Sequence, residues 1–113
     1  MPALETPWGS WEVLLEETYC KVKRLIVNPR QRLSYQKHAH REEVWTVVQG
    51  TATVTLQDQV QELATSQTLF VPCGQLHRIA NKTDFPVVLI EVQTGTYFGE
   101  DDIERFEDDY GRV

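Results

Sequence analysis

Apolar stretches long enough to span a bilayer, about 20 residues, are absent from the 113-residue sequence. The opening segment MPALETPWGS also lacks the apolar centre of a secretory leader. The expectation is a cytoplasmic protein without membrane contact. Cysteine is scarce. Cys20 and Cys73 are the only two, too few for a disulfide framework and wrongly spaced for a zinc ribbon. Basic residues are outnumbered, 11 against 17 acids, for a net charge of −6. Residues 99–113 hold seven of those acids and two arginines, a net −5, so the other 98 residues carry only −1. No basic stripe is available to neutralise a phosphate backbone, which argues against nucleic acid as a partner. Helical periodicity is also missing before residue 99.

Short alternating segments fill the space that helices leave. Lys21–Val27 reads KVKRLIV, Val44–Val48 reads VWTVV, and Thr51–Leu56 reads TATVTL after a Gln49-Gly50 turn. Further strands fit Val60–Leu63, Thr68–Val71, His77–Ala80 and Pro86–Gln93. Turn residues separate them at Asn28-Pro29, Gln57-Asp58, Pro72-Cys73-Gly74 and Asn81–Asp84. Many short strands with frequent turns predict an all-β sandwich or barrel. The composition, 41% hydrophobic and 25% charged, suits one folded domain over residues 1–113. The segment Gly99–Tyr110 reads as an acidic turn or a short helix around Ile103 and Phe106. Two readings of this tail stay open: solvated surface, or a segment folded back over the mouth of the barrel with Phe106 and Tyr110 buried.

Three histidines are present, His38, His40 and His77. On a strand, His38 and His40 would share a face with Ser34 and Gln36. Glu43 follows after a short step, and His77 comes directly after a Pro-x-Gly turn. Imidazole and carboxylate donors suit a borderline divalent metal such as zinc, manganese or iron. The predicted ligands are His38, His40, Glu43 and His77, with Gln36 as a fifth or substitute. The plainer alternative makes His38 and His40 exposed strand residues and His77 a turn cap.

The wider pattern resembles the cupin superfamily. Its first motif, His-x-His, a Glu, six residues and Gly, is similar to His38-Ala39-His40-Arg41-Glu42-Glu43 followed by Gly50. Its second, Pro-x-Gly-x-x-His-x-x-x-Asn, is similar to the run Pro72 to Asn81. Pro7-Trp8-Gly9, Lys21–Arg24, His40-Arg41, Trp45, Gly50-Thr51-Ala52, His77-Arg78, Glu91–Gly95, Gly99–Ile103 and Arg105–Arg112 narrow the likeness to type II mannose-6-phosphate isomerases. In that family the cupin is often the C-terminal half of an enzyme whose other half is a mannose-1-phosphate guanylyltransferase.

The resemblance implies a small double-stranded β-helix, a jelly-roll barrel with a short acidic C-terminal tail, holding one divalent metal. It implies interconversion of mannose 6-phosphate and fructose 6-phosphate in the synthesis of polysaccharide and nucleotide-sugar precursors. That reaction needs a cation, a base near neutral pKa and a phosphate clamp. Glu91, which interrupts the apolar run Val87–Val92, is the candidate base; an ion-pair role for it stays open. Arg112 is the other candidate catalytic residue, near the phosphate, while Gln36, Lys37, Arg41 and Arg78 are assigned to substrate binding. Period-two alternation points Arg41 and Arg78 away from the metal unless the strand bends there. Trp8, Trp11 and Trp45 read as packing, with Trp45 walling the pocket. The family usually has Gly at Arg30 and Ser66, and often His at Ala39 and Val44; the last two would alter the wall beside the metal. A homodimer is expected from the small size, with the Pro7–Trp11 segment hiding its apolar area against a neighbour or across its own sheet. A non-catalytic metal cupin that binds a sugar phosphate or sugar nucleotide is the alternative, and an iron oxygenase a third reading.

Overall fold

The computed structural model describes residues 3–112 and is built from eleven strands in two antiparallel sheets. In chain order the strands are β1 (Leu4–Thr6), β2 (Gly9–Glu16), β3 (Lys21–Val27), β4 (Tyr35–His38), β5 (Arg41–Gln49) and β6 (Ala52–Leu56). They continue as β7 (Gln59–Leu63), β8 (Thr68–Val71), β9 (His77–Ala80), β10 (Val87–Gly95) and β11 (Ile103–Glu107). One sheet runs β1-β2-β3-β10-β5-β8 and the other β11-β4-β9-β6-β7. This is the all-β, two-sheet barrel that the turn spacing and the cupin likeness imply.

Alternation along the strands divides the interior into a dry half and a polar half. On β3, Leu25 and Val27 face inward at one end and Lys21 and Lys23 at the other. On β10 the inward row is Val87, Leu89, Glu91 and Gln93; on β5 it is Val47, Trp45, Glu43 and Arg41. The three strands are in register, so their apolar ends meet as the core with Trp8, Leu33, Val54 and Ile79. Each such side chain contributes about 1.5–3 kcal/mol by leaving water. Their polar ends form the cavity described below.

Three turns carry positive φ at residues other than glycine: those at Arg30, Gln57-Asp58 and Ser66. Arg30 has φ 64° and Ser66 φ 76°, in the left-handed region that glycine enters without steric cost. Both are places where the resembled family usually has Gly.

The acidic tail departs from the helical expectation. Only Glu100–Asp102 coil, as a single 3-10 turn, and Ile103–Glu107 then pairs with β4 as β11. Propensity does not favour a strand in IERFE; the ladder that β4 offers overrides it. The tail folds back: Tyr110 packs against the core and donates its hydroxyl hydrogen bond to Gln31 Oε1 at 2.6 Å, while Phe106 stays exposed.

Candidate metal and sugar-phosphate site

The polar half of the interior brings together His38, Glu43 and His77, all buried, with ligand atoms within 4.8 Å of one another. His38 ends β4, Glu43 lies in β5 and His77 opens β9, so both sheets contribute. The turn before His77 is tied to the other histidine strand. Gly74, at φ 79°, donates its N–H to the His38 carbonyl at 2.8 Å.

The two rings are set up as neutral donors. His77 Nδ1 lies 2.9 Å from the Gln75 carbonyl, which can only accept, so Nδ1 carries the proton. Nε2 is then a bare lone pair, buried without a hydrogen-bond partner among the described residues, 3.9 Å from Glu43 Oε1. Burial lowers the His77 pKa to about 4. Burial, then the Arg41 charge, lowers that of His38 to about 3. Neutral imidazole is the form a metal requires. Trp45 Nε1 donates to Glu43 Oε1 at 2.9 Å, orienting the carboxylate. This donor set, with its orphaned nitrogen, fits a divalent metal such as zinc, manganese or iron.

His40 does not join the group. β4 stops at His38, and residues 39 and 40 form a bend before β5 begins at Arg41. The bend breaks the period of two that would have placed the two histidines on one face. The His40 side chain is 58% exposed; Asp102 contacts its Nδ1 at 2.8 Å and accepts from its backbone N–H at 3.0 Å. The same bend turns Arg41 inward, against the alternation read from the sequence. Arg41 is buried, donating from Nε to Glu43 Oε2 and from Nη2 to His38 Nε2, each at 3.0 Å. Gly95 holds this place: a Cβ there would come within 2.8 Å of Arg41 Cα.

Glu91 lines the same cavity, at the centre of its sheet between Trp45 on β5 and Lys23 on β3. Gln93 Nε2 donates to its Oε2 at 2.7 Å. Burial, then the Glu43 charge, pushes its pKa up to about 7, although Lys23 and Arg41 pull the other way. The Lys23 ammonium is spoken for, 2.7 Å from Glu100 and 3.9 Å above the Trp11 ring.

Gln36 faces the cavity in register with His77 on one side and Arg105 on the other. Arg105, missed in the sequence, lies on the cavity wall with its Nε buried and without a partner among the described residues. It falls on β11, the strand that had been read as turn or helix. Arg112 reaches the cavity too, its Nε and Nη2 held by Asp108 at 2.7 and 3.0 Å. Those bonds hold the Asp108 pKa at about 2.

Other assigned residues lie elsewhere. Lys37 alternates with Gln36 and points outward, 4.0 Å from Glu104 and 5.3 Å from the Phe106 ring centre. Arg78 alternates with His77. It donates to the Leu33 carbonyl at 3.0 Å and to Glu107 at 3.1 Å, on the far side of its sheet. Ala39 is exposed in the bend, and Val44 faces outward opposite Phe70 and Val92, so neither walls the metal pocket. Of the two places open to Trp8 and Trp11, a neighbour or their own sheet, they take the second and line the chain's own cavity, as does Trp45.

The chain matches the family described as Mannose-6-phosphate isomerase C-terminal over residues 3–108. It is similar to the xanthan biosynthesis protein XanB of Xanthomonas campestris pv. campestris (strain B100), 49% identical over 107 residues, 95% of this chain and 23% of that protein. It is similar also to the alginate biosynthesis protein AlgA of Pseudomonas aeruginosa, 48% identical over 107 residues, 95% of this chain and 22% of that protein. The chain thus spans less than a quarter of the length of these relatives. Among solved structures, a double-stranded β-helix protein from Klebsiella pneumoniae superposes with a TM-score of 0.74 at 24% identity, covering 85% of this chain and 77% of that one. The Cnp3 cupin domain of Schizosaccharomyces pombe gives 0.73 at 16% identity, covering 76% and 64%. The fold is that of a cupin, and the chain belongs to the mannose-6-phosphate isomerase C-terminal family.

Proposed function

We propose that the chain is a metal-dependent aldose–ketose isomerase acting on a sugar phosphate, mannose 6-phosphate to fructose 6-phosphate. His38, Glu43 and His77 are the metal ligands, and Gln36, in register with His77, is the neighbouring polar group that completes or supports the set. His40 is left out of it. A divalent metal in such a site supplies a Lewis acid for the negative charge that develops on the sugar oxygens.

Glu91 is the proton carrier, taking the proton at C2 of the aldose and returning it at C1. A carboxylate poised near neutrality is suited to both halves of that transfer. The burial that raises its pKa also keeps water from competing. Arg105 and Arg112 face the same cavity and suit the phosphate, since a guanidinium fork gives two parallel bonds to its oxygens.

One observation carries the reading: a neutral ligand set, a carboxyl raised to about 7 and an unpartnered guanidinium nitrogen share one cavity. The test is a coupled assay for fructose 6-phosphate with protein loaded with zinc, manganese or iron. Formation that depends on the metal supports it. Sugar-phosphate binding without turnover would favour a binding module.

We also propose that the chain pairs with a second copy, through a surface other than the tryptophan segment. Leu15, Val22, Val92, Val44 and Phe70 stand side by side across five strands on the outer face of the β10 sheet. That row gives the outer face an apolar centre, as interface cores have.

A further inference from the structure

We propose that Arg41 is a tethered cation in competition with the metal, a positioning residue that acts through His38 and Glu43. The inference rests on the metal site proposed above. The guanidinium holds one atom of each of two ligands, His38 Nε2 and Glu43 Oε2, both at 3.0 Å. Both are donor atoms of the candidate ligand set; the other His38 nitrogen, Nδ1, lies 3.5 Å from Glu43 Oε2. A guanidinium has five N–H donors and no acceptor, so the proton in each of these bonds belongs to Arg41 and the ligands stay unprotonated. Arg41 therefore does for the metal-free site what a metal does: it balances a buried carboxylate and saturates a buried imidazole nitrogen. Without it Glu43 would be an uncompensated charge, and charges left that way in a protein interior are costly.

Arg41 cannot serve the same two atoms once a metal does. Two cations on shared ligands repel strongly in a poorly polarisable interior. The opposite side of the guanidinium has other acceptors. Nη1 lies 3.5 Å from the carbonyls of Phe98 and Gly99 and 3.8 Å from Glu100 Oε2. These three belong to the segment that leads into the folded-back tail, so the charge keeps half-buried and surface partners after it yields the ligands. His77 Nε2 is untouched by Arg41 and has no hydrogen-bond partner among the described residues. It is the ligand free to take an incoming metal first.

Removing the competitor raises metal affinity while weakening the metal-free fold. A merely structural arginine would lower both. The experiment measures zinc affinity by competition with a chromophoric chelator, and thermal unfolding with and without zinc, for wild type, Arg41→Met, Arg41→Lys and His77→Ala. The methionine variant keeps the length and loses the charge. It is expected to bind zinc on the order of tenfold or more tightly than wild type and to unfold at lower temperature without zinc. The lysine variant restores the charge and is expected to return affinity toward wild type. If the methionine variant folds only with zinc, the proposal is also supported, because the metal then replaces the lost cation. Equal or weaker zinc binding by a folded methionine variant, with wild type and not His77→Ala binding zinc, would overturn the role of Arg41 alone. Failure of wild type and the methionine variant alike to bind zinc, manganese or iron would overturn the metal site itself, and this proposal with it.

Discussion

His77 Nε2 lies 3.9 Å from Glu43 Oε1, buried, and makes no hydrogen bond to any described residue. A buried nitrogen left without a partner costs about 1–3 kcal/mol, so a cation bridging it to the carboxylate would remove a penalty as well as add bonds. His77→Ala is expected to abolish stoichiometric metal binding. His40→Ala is expected to leave it intact, because that ring is 58% exposed and bonded to Asp102. Its cost to stability is expected to be about 1 kcal/mol or less, because the ring is exposed and Asp102 keeps its two backbone bonds. Zinc titration with metal analysis checks both; loss of metal in His40→Ala would restore the four-ligand set read from the sequence.

Glu91→Gln keeps shape and removes the proton carrier. Turnover is expected to fall on the order of a hundredfold or more with little change in KM. A fall confined to KM would make Glu91 a binding group.

Burial makes Glu91 sensitive to pH in the metal-free protein as well. Its folded pKa, about 7, lies above its ordinary 4.5. The folded state therefore holds the proton more tightly than the unfolded one. The associated stability is full below about pH 4.5 and is lost as pH rises through about 7. Glu91→Gln, always uncharged, is expected to be the more stable of the two at pH 8–9, by on the order of 1–3 kcal/mol. The gap should close below pH 4. Urea unfolding at both pH values decides it; a more stable wild type at pH 8–9 would show that Lys23 and Arg41 outweigh burial.

Asp108 holds Arg112 against the cavity wall. If Arg112 binds the phosphate in ground and transition states alike, Arg112→Ala raises KM with little effect on kcat, and Asp108→Asn moves KM the same way by a smaller factor. The Asp108 pKa, about 2, lies below its ordinary 3.8. This pair's stability is thus present above about pH 4 and lost as pH falls toward 2. Steady-state kinetics with mannose 6-phosphate separates the two constants.

Self-association through the outer sheet face is expected to give a dimer at micromolar concentration. Val92→Glu and Val44→Glu put a charge on the apolar row and should give monomers that bind metal normally. Sedimentation velocity tests this; a dimer that survives both substitutions uses another surface.

The sequence marked out most of the barrel because its middle strands alternate cleanly. Lys21–Val27, Thr68–Val71 and His77–Ala80 match β3, β8 and β9 residue for residue. The ends were harder. Nothing in Gly9–Glu16 or Ile103–Glu107 marks a strand by itself, and each exists because a neighbour offers a ladder. In the site, Gln36, Glu91 and Arg112 line the cavity. His40 and Arg41 exchanged places because a two-residue bend resets the alternation, and alternation is a property of unbroken strands. Arg105 escaped notice because its strand did. Ala39 and Val44 face away from the cavity, so restoring His at either position is not a route to altered chemistry.

The most direct measurement is the formation of fructose 6-phosphate from mannose 6-phosphate by this chain, with bound metal counted in the same sample. The account predicts one metal per chain, turnover that a chelator removes and added metal restores, and no turnover by His77→Ala. One bound metal per chain with no isomerisation, and with sugar phosphate still bound, would contradict it.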